Sequence, residues 1–204
     1  MKVLNLYSGI GGNRKLWNGV DCTAIEIEPK IAKIYSDFFP KDKVIVGDAH
    51  QYLLEHYDDG WDFIWSSPPC PTHSSIRRYI AVESGQNKPI YPDMVLYQEI
   101  IFLSYHFNNK WVVENVISYY KPLILPQEIG KHYFWANFKI SNIQSKGRCH
   151  NATINALEKR KGFDLTNKDC PIEKRFLLRN CVEPELGKHI FDCAFKLQQK
   201  KIEG

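Results

Sequence analysis

The sequence predicts an α/β fold built on a doubly wound, mostly parallel sheet, and three observations carry that expectation. Short apolar runs recur at residues 2–7, 22–27, 44–46, 61–65 and 111–113. Stretches with apolar residues at helical spacing stand between them, such as 29–39, where Ile31, Ile34, Tyr35 and Phe38 share a face. Glycines, prolines and acids gather where the runs end. Strands that alternate with helices imply crossover connections and hence parallel pairing.

The first run leads into Ser8-Gly9-Ile10-Gly11-Gly12, with room for a helical start over 13–19, so this segment reads as strand, glycine turn, helix. The second run ends in acids, Glu26 and Glu28, and is followed by the helix pattern 29–39. The third strand closes at Gly47-Asp48, residues 51–56 are a short helix, and the fourth strand runs into Ser66-Ser67-Pro68-Pro69-Cys70. From 71 to 92 the periodicity vanishes among Arg77, Arg78, Gly85, Asn87, Pro89 and Pro92, which predicts a long surface loop of the kind that carries function. A helix is expected over 94–107, with Leu96, Ile100, Leu103 and Phe107 on one face, then a buried strand with Glu114-Asn115-Val116 at its C-terminal end. Residues 144–179 are more basic and less regular, and 186–197 reads as a closing helix.

With 204 residues and a mass of 23.8 kDa, the chain suits a single domain spanning 1–204. Its 44% hydrophobic and 25% charged content supplies a core and excludes disorder, collagen and small disulfide scaffolds. No apolar run approaches the roughly 18 residues of a bilayer span and the start is too short in apolar residues for a signal peptide, so a cytoplasmic protein with no membrane partner is expected. The net charge of +4 permits a polyanionic partner without demanding one. Six cysteines without a Cys-x-x-Cys pair offer neither a zinc ribbon nor a disulfide framework, and no metal is expected.

Ligands of doubly wound sheets bind beyond the carboxyl ends of the strands, where the unusual residues stand. The glycines 9, 11 and 12 let backbone approach a ligand, Glu26 is placed to hold a ribose diol, and Asp48 can accept from an exocyclic amino group. All three fit an adenosine-containing cofactor. Pro68 and Pro69 stiffen the backbone before Cys70, whose sulfur would serve as a nucleophile if nearby positive charge made it a thiolate. Glu114 would lie near it, and Arg148 offers a fixed cation. Each residue alone also fits an ordinary role, as a tight turn, a buried thiol, a capping acid or a solvated cation. Their clustering at one sheet edge sets them apart.

These residues resemble the motifs of the DNA (cytosine-5)-methyltransferases. Leu6-Tyr7-Ser8-Gly9-Ile10-Gly11-Gly12 resembles the first cofactor motif, Glu26 with Ile27 the ribose and adenine contacts, and Gly47-Asp48-Ala49 the adenine-reading turn. Pro68-Pro69-Cys70 is similar to the catalytic Pro-Cys motif, Glu114-Asn115-Val116 to its Glu-Asn-Val partner, Gln144-Ser145-Lys146-Gly147-Arg148 to the Gln-x-Arg-x-Arg motif, and Asn180-Cys181-Val182 to the late motif that completes the cofactor pocket. The resemblance implies a Rossmann-like methyltransferase fold, S-adenosyl-L-methionine as cofactor, DNA as partner and a place in restriction-modification. It implies that Cys70, Glu114, Asn115 and Arg148 are catalytic. It also implies that Tyr7, Ser8, Gly9, Gly11, Gly12, Glu26, Ile27, Asp48, Ala49, Pro69, Leu96, Asn180 and Val182 bind the cofactor, and that Ser74, Arg77, Arg78, Gln144 and Lys146 meet nucleic acid.

Three departures stand out. After Cys70 the family usually has Gln, then Phe and Ser, where Pro71, His73 and Ser74 stand here, and Lys146 replaces the first arginine of its motif. Residues 149–179 stand where the family inserts a target-recognition domain, far too few for one, which leaves a homodimer or a specificity partner to read sequence. Three rivals remain open: methylation of RNA or a free nucleotide, amino-methylation suggested by Ser67-Pro68-Pro69, and a non-catalytic nucleic-acid-binding subunit. Lys159, Arg160 and Lys161 are expected to grip phosphates alongside Arg77 and Arg78.

Overall fold

The computed structural model describes residues 1–75, 77–143 and 152–199. Five parallel strands, β1 (Lys2–Leu6), β2 (Asp21–Glu26), β3 (Lys43–Val46), β4 (Phe63–Ser66) and β5 (Lys110–Val116), are joined by an edge hairpin, β6 (Gln127–Ile129) and β7 (His132–Ala136). The sheet order is β3-β2-β1-β4-β5-β7-β6, with β7 antiparallel to both of its neighbours. The order reverses beside β1, between β2 and β4, which is the switch point where doubly wound sheets bind ligands.

Helices α1 (Pro29–Phe38), α2 (Ala49–His56), α3 (Val95–His106), α4 (Ile154–Lys161), α5 (Lys174–Asn180) and α6 (Pro184–Gln199) complete the fold. Strands buried on both faces read as nearly continuous apolar runs, as β1 and β4 do. On one face Leu4, Leu6 and Ile64 pack under α2 and α3 through Leu53, Leu96, Ile100 and Leu103. On the other, Phe63 and Trp65 pack with Phe134, Trp17 and Ile190 of α6. Each such side chain contributes roughly 1.5–3 kcal/mol by leaving water.

Three expectations are corrected. The helix anticipated over 13–19 is a chain of tight turns, because tertiary contacts override its local pattern: Arg14 bonds the Asp42 carboxylate at 2.8 and 2.9 Å and the Trp17 carbonyl at 2.7 Å. Gly187 of α6 lies so close that a Cβ there would stand 2.4 Å from the Asn13 carbonyl oxygen. The long loop contains a wide π-helical turn, Arg77–Val82. The segment after residue 151 forms two helices rather than irregular chain, and α4 and α5 bury Leu157, Leu177 and Leu178 with Ile10 of the glycine turn and Ile34 of α1. Among the described residues no helix is long and apolar enough to cross a membrane.

Candidate active site

β1 delivers its chain to the switch point at Tyr7, which with φ 54° is the one non-glycine residue of positive φ among those described. Glu26 closes β2 beside it and is buried; its Oε2 accepts from the Gly9 amide at 2.9 Å and its Oε1 from the Glu28 amide at 3.0 Å. Burial raises the proton affinity of this carboxyl, and the backbone donors of Glu28 and Gly9 partly offset the rise. A carboxylate has about four acceptor positions, so two remain for a ribose diol. The position a Cβ would take at Gly9 meets only open space, while Ser8 Oγ is buried with no hydrogen-bond partner. An adenosine cofactor fits this cradle, since it would fill the space and satisfy the hydroxyl.

The other residues expected to meet the cofactor stand in differing surroundings. Asp48 is exposed and caps α2 by accepting from the Gln51 amide at 3.0 Å. Ile27 is exposed, Ala49 and Leu96 are buried beneath, and Pro69 is exposed ahead of Cys70. Gly12 packs on Cys181 and Val182, where a Cβ would come within 2.4 Å of the Val182 oxygen, whereas Asn180 is exposed at the end of α5.

Sequence reasoning passed over a polar cluster under Tyr7. Glu99 of α3 is fully buried and accepts from Tyr7 Oη at 2.6 Å, from His50 Nδ1 at 3.1 Å and from Ser66 Oγ at 2.5 Å. A carboxylate out of water is costly unless its lone pairs are met, and here three donors meet them. The available signal was an acid at helical spacing with Leu96 and Leu103, on the apolar face of α3. Through this cluster β1, α2, β4 and α3 are tied at one point.

β4 and β5 bring the catalytic candidates together. Asn115 Nδ2 donates to the Pro68 carbonyl at 3.0 Å, and its Oδ1 accepts from the Val116 amide at 2.9 Å, so the end of β5 is clipped to the turn that carries Cys70. Burial and the negative charge of Glu114 push the Cys70 thiol up to about 11. Glu114 is the carboxylate that the sequence set near Cys70, and among the described residues it is the charged group that raises the thiol; Arg148, the cation the sequence offered, lies outside the described residues. Glu114 is buried, and its Oε1 lies 2.6 Å from Nδ1 of His132, a residue of the unanticipated hairpin.

After Cys70 the chain makes a tight turn in which the His73 and Ser74 amides donate to the Cys70 carbonyl at 3.0 and 3.1 Å. His73 is buried with Nδ1 2.6 Å from Tyr120 Oη, and Ser74 bridges to Ser118, so the loop is stitched to the segment after β5. Arg78 pairs with Glu83 at 2.9 Å, and Arg77 Nε is buried without a hydrogen-bond partner. Gln144, Lys146 and Arg148 lie outside the described residues.

Lys159 is exposed, whereas Arg160 and Lys161 turn toward Glu183. Both bond Glu183 at 2.9 Å, and buried Lys161 also donates to the Cys181 carbonyl at 2.5 Å. Burial opposes the ionised form of Glu183, yet these two cations outweigh it and hold its carboxyl below the usual range. Their charge is internal to the fold. Among the described residues no group of three or more histidines, cysteines and acids could hold a metal ion.

The family described as C-5 cytosine-specific DNA methylase matches residues 1–117. No curated protein matches the chain. Among solved structures, a Spodoptera frugiperda DNMT2 mutant is 24% identical with a TM-score of 0.39, over 56% of this chain and 35% of that one. Dnmt2 of S. pombe is 23% identical with a TM-score of 0.41, over 57% and 34%. An Entamoeba histolytica methyltransferase is 16% identical with a TM-score of 0.41, over 76% and 62%. The match to the two DNMT2 structures thus spans about a third of their length.

Proposed function

Because the chain belongs to the C-5 cytosine-specific DNA methylase family, whose cofactor is S-adenosyl-L-methionine, we propose that it methylates C5 of cytosine in DNA through a covalent bond from Cys70 to C6. The observation that carries this reading is the Asn115 bond to the Pro68 carbonyl, which draws Cys70 and Glu114 into one site. A binder without chemistry has no need of that pairing.

Cys70 first gives its thiol proton to water, since burial beside Glu114 keeps it protonated in the free protein. The sulfur then bonds C6, and the C5–C6 π pair is delocalised through C4 onto N3. Glu114, having taken a proton from water as cytosine binds, passes it to N3, so the charge arising on the ring meets a fixed partner. S-adenosyl-L-methionine supplies the methyl group when bound. Cys70 finally leaves as a thiolate as C5 gives its proton to water and N3 returns its proton to Glu114, restoring the neutral ring. Asn115 keeps the Pro68 turn in register with β5 throughout. Arg148 would face O2, and Asn180 and Val182 would close the cofactor pocket with Tyr7, Glu26 and Asp48.

The target base must leave the helix stack to reach Cys70, and the segment carrying Ser74, Arg77 and Arg78 follows the cysteine directly. That segment, with Gln144 and Lys146, would hold the strand, while a second copy or a separate protein would supply sequence reading. Incubation with DNA and RNA in the presence of labelled S-adenosyl-L-methionine, followed by nucleoside mass spectrometry, tests this. 5-Methyldeoxycytidine is the expected product. Label only in ribonucleosides, or in an N-methylated base, would overturn the reading.

A further inference from the structure

Glu114 has a partner that the sequence motifs do not announce. β7 runs antiparallel to β5 with His132 opposite Val116 and Phe134 opposite Glu114. Side chains two apart on a strand share a face, so His132 is the diagonal neighbour of Glu114 on that face. Its Nδ1 lies 2.6 Å from Glu114 Oε1, and its ring leans on Phe134 with centroids 6.1 Å apart. A carboxylate offers only acceptors, so Nδ1 carries the proton and donates it. The histidine side chain is 26% exposed and the glutamate 9%, which places the bond at the mouth of the site.

We infer that His132 is a positioning residue for Glu114: it pins Oε1 and the carboxylate plane, leaves Oε2 for cytosine N3, and presents an N–H to the charge left on Glu114 once the proton has moved to N3. The inference rests on the reading of Glu114 as the partner of N3. It also gives the edge hairpin a part in the reaction, because the Gly130-Lys131 turn between β6 and β7 sets where β7 begins and hence where His132 stands. A bond of this kind acts mainly on the rate. It fixes a group that the substrate meets in the transition state, and a misplaced carboxyl costs on the order of 100-fold.

The test compares steady-state methyl transfer to cytosine-containing DNA by the full chain and by His132→Ala, His132→Gln, Glu114→Gln and the Glu114→Gln/His132→Ala pair. Binding of S-adenosyl-L-methionine by calorimetry reports folding. Expected results are a loss of about 100-fold in kcat for His132→Ala with KM for DNA within about threefold, and recovery of at least about tenfold in His132→Gln, whose amide can still donate. In the Glu114→Gln background the alanine change should cost less than about threefold more, because His132 acts through the carboxylate. Equal losses in both backgrounds, or an alanine variant within about twofold of the parent, would overturn the inference while the parent still makes 5-methylcytosine. A parent that makes none would instead sink the proposed function.

Discussion

Cys70 stands in the free protein as a thiol, and that single residue sets the pH behaviour of the site. Because burial and Glu114 push it up to about 11, the fraction of thiolate climbs with every increment of pH across the working range. Alkylation of the Cys70 peptide by iodoacetamide, followed by mass spectrometry, should therefore accelerate about tenfold per pH unit between pH 7 and 9 without levelling. A plateau within that range would mean that a cation lowers the thiol in the free protein. Glu26 carries the matching prediction for the cofactor. Its carboxylate already braces the Gly9 and Glu28 amides, so Glu26→Ala removes both the ribose acceptor and the brace and should weaken S-adenosyl-L-methionine by on the order of 2–4 kcal/mol in calorimetry. A change of less than about threefold, roughly 0.7 kcal/mol, would place the cofactor elsewhere.

Where β1, β4, α2 and α3 meet, Glu99 is the fastener. Glu99→Ala leaves the Tyr7 and Ser66 hydroxyls without their acceptor and should cost about 3–5 kcal/mol in urea unfolding; a cost below about 1 kcal/mol would show that water replaces the carboxylate freely. His50 adds a pH dependence of definite sign. Its hydrogen bond to Glu99 raises it above its ordinary 6.5, so its contribution is complete below that value and is lost as pH rises through the raised one. The stability gap between the parent and His50→Gln should accordingly shrink from pH 6 to pH 8, and a widening gap would contradict the assignment. Elements with strong apolar periodicity, such as α1, α3 and the parallel strands, were legible in the sequence because burial writes itself into residue spacing. The β6–β7 hairpin was not, since β6 has only three residues and Tyr133-Phe134-Trp135 shows no alternation to mark a strand. His132 and Glu99 were missed for a related reason: their meaning lies in partners 18 and 33 to 92 positions away. Cys70, Glu114, Asn115 and Glu26 stood out in the sequence because each lies at or just beyond the end of an apolar run, on the side where such sheets bind ligands.

At the scale of the molecule, α4 and α5 stand where the family inserts a recognition domain, and they spend Leu157, Leu177, Leu178 and two cations of α4 on the glycine turn and the late motif. The described surface for nucleic acid is thereby narrowed, and binding should rest on phosphate contacts with a steep salt dependence. Lys159→Ala should lower the slope of log affinity against log salt by about one unit if that lysine touches phosphate, whereas Lys161→Met should leave the slope unchanged and lower the unfolding midpoint instead. A fall in slope for Lys161→Met would mean that the ion pair with Glu183 opens to DNA. The central claim, that Cys70 bonds C6 of cytosine, is tested most directly by trapping. Fluorine at C5 cannot leave as a proton does, so a DNA pool substituted with 5-fluorocytosine should hold the chain in a denaturation-stable adduct that requires S-adenosyl-L-methionine, maps to Cys70 by peptide mass spectrometry and is absent from Cys70→Ser. Transfer of methyl to C5 without an adduct, or an adduct at any other residue, would contradict it.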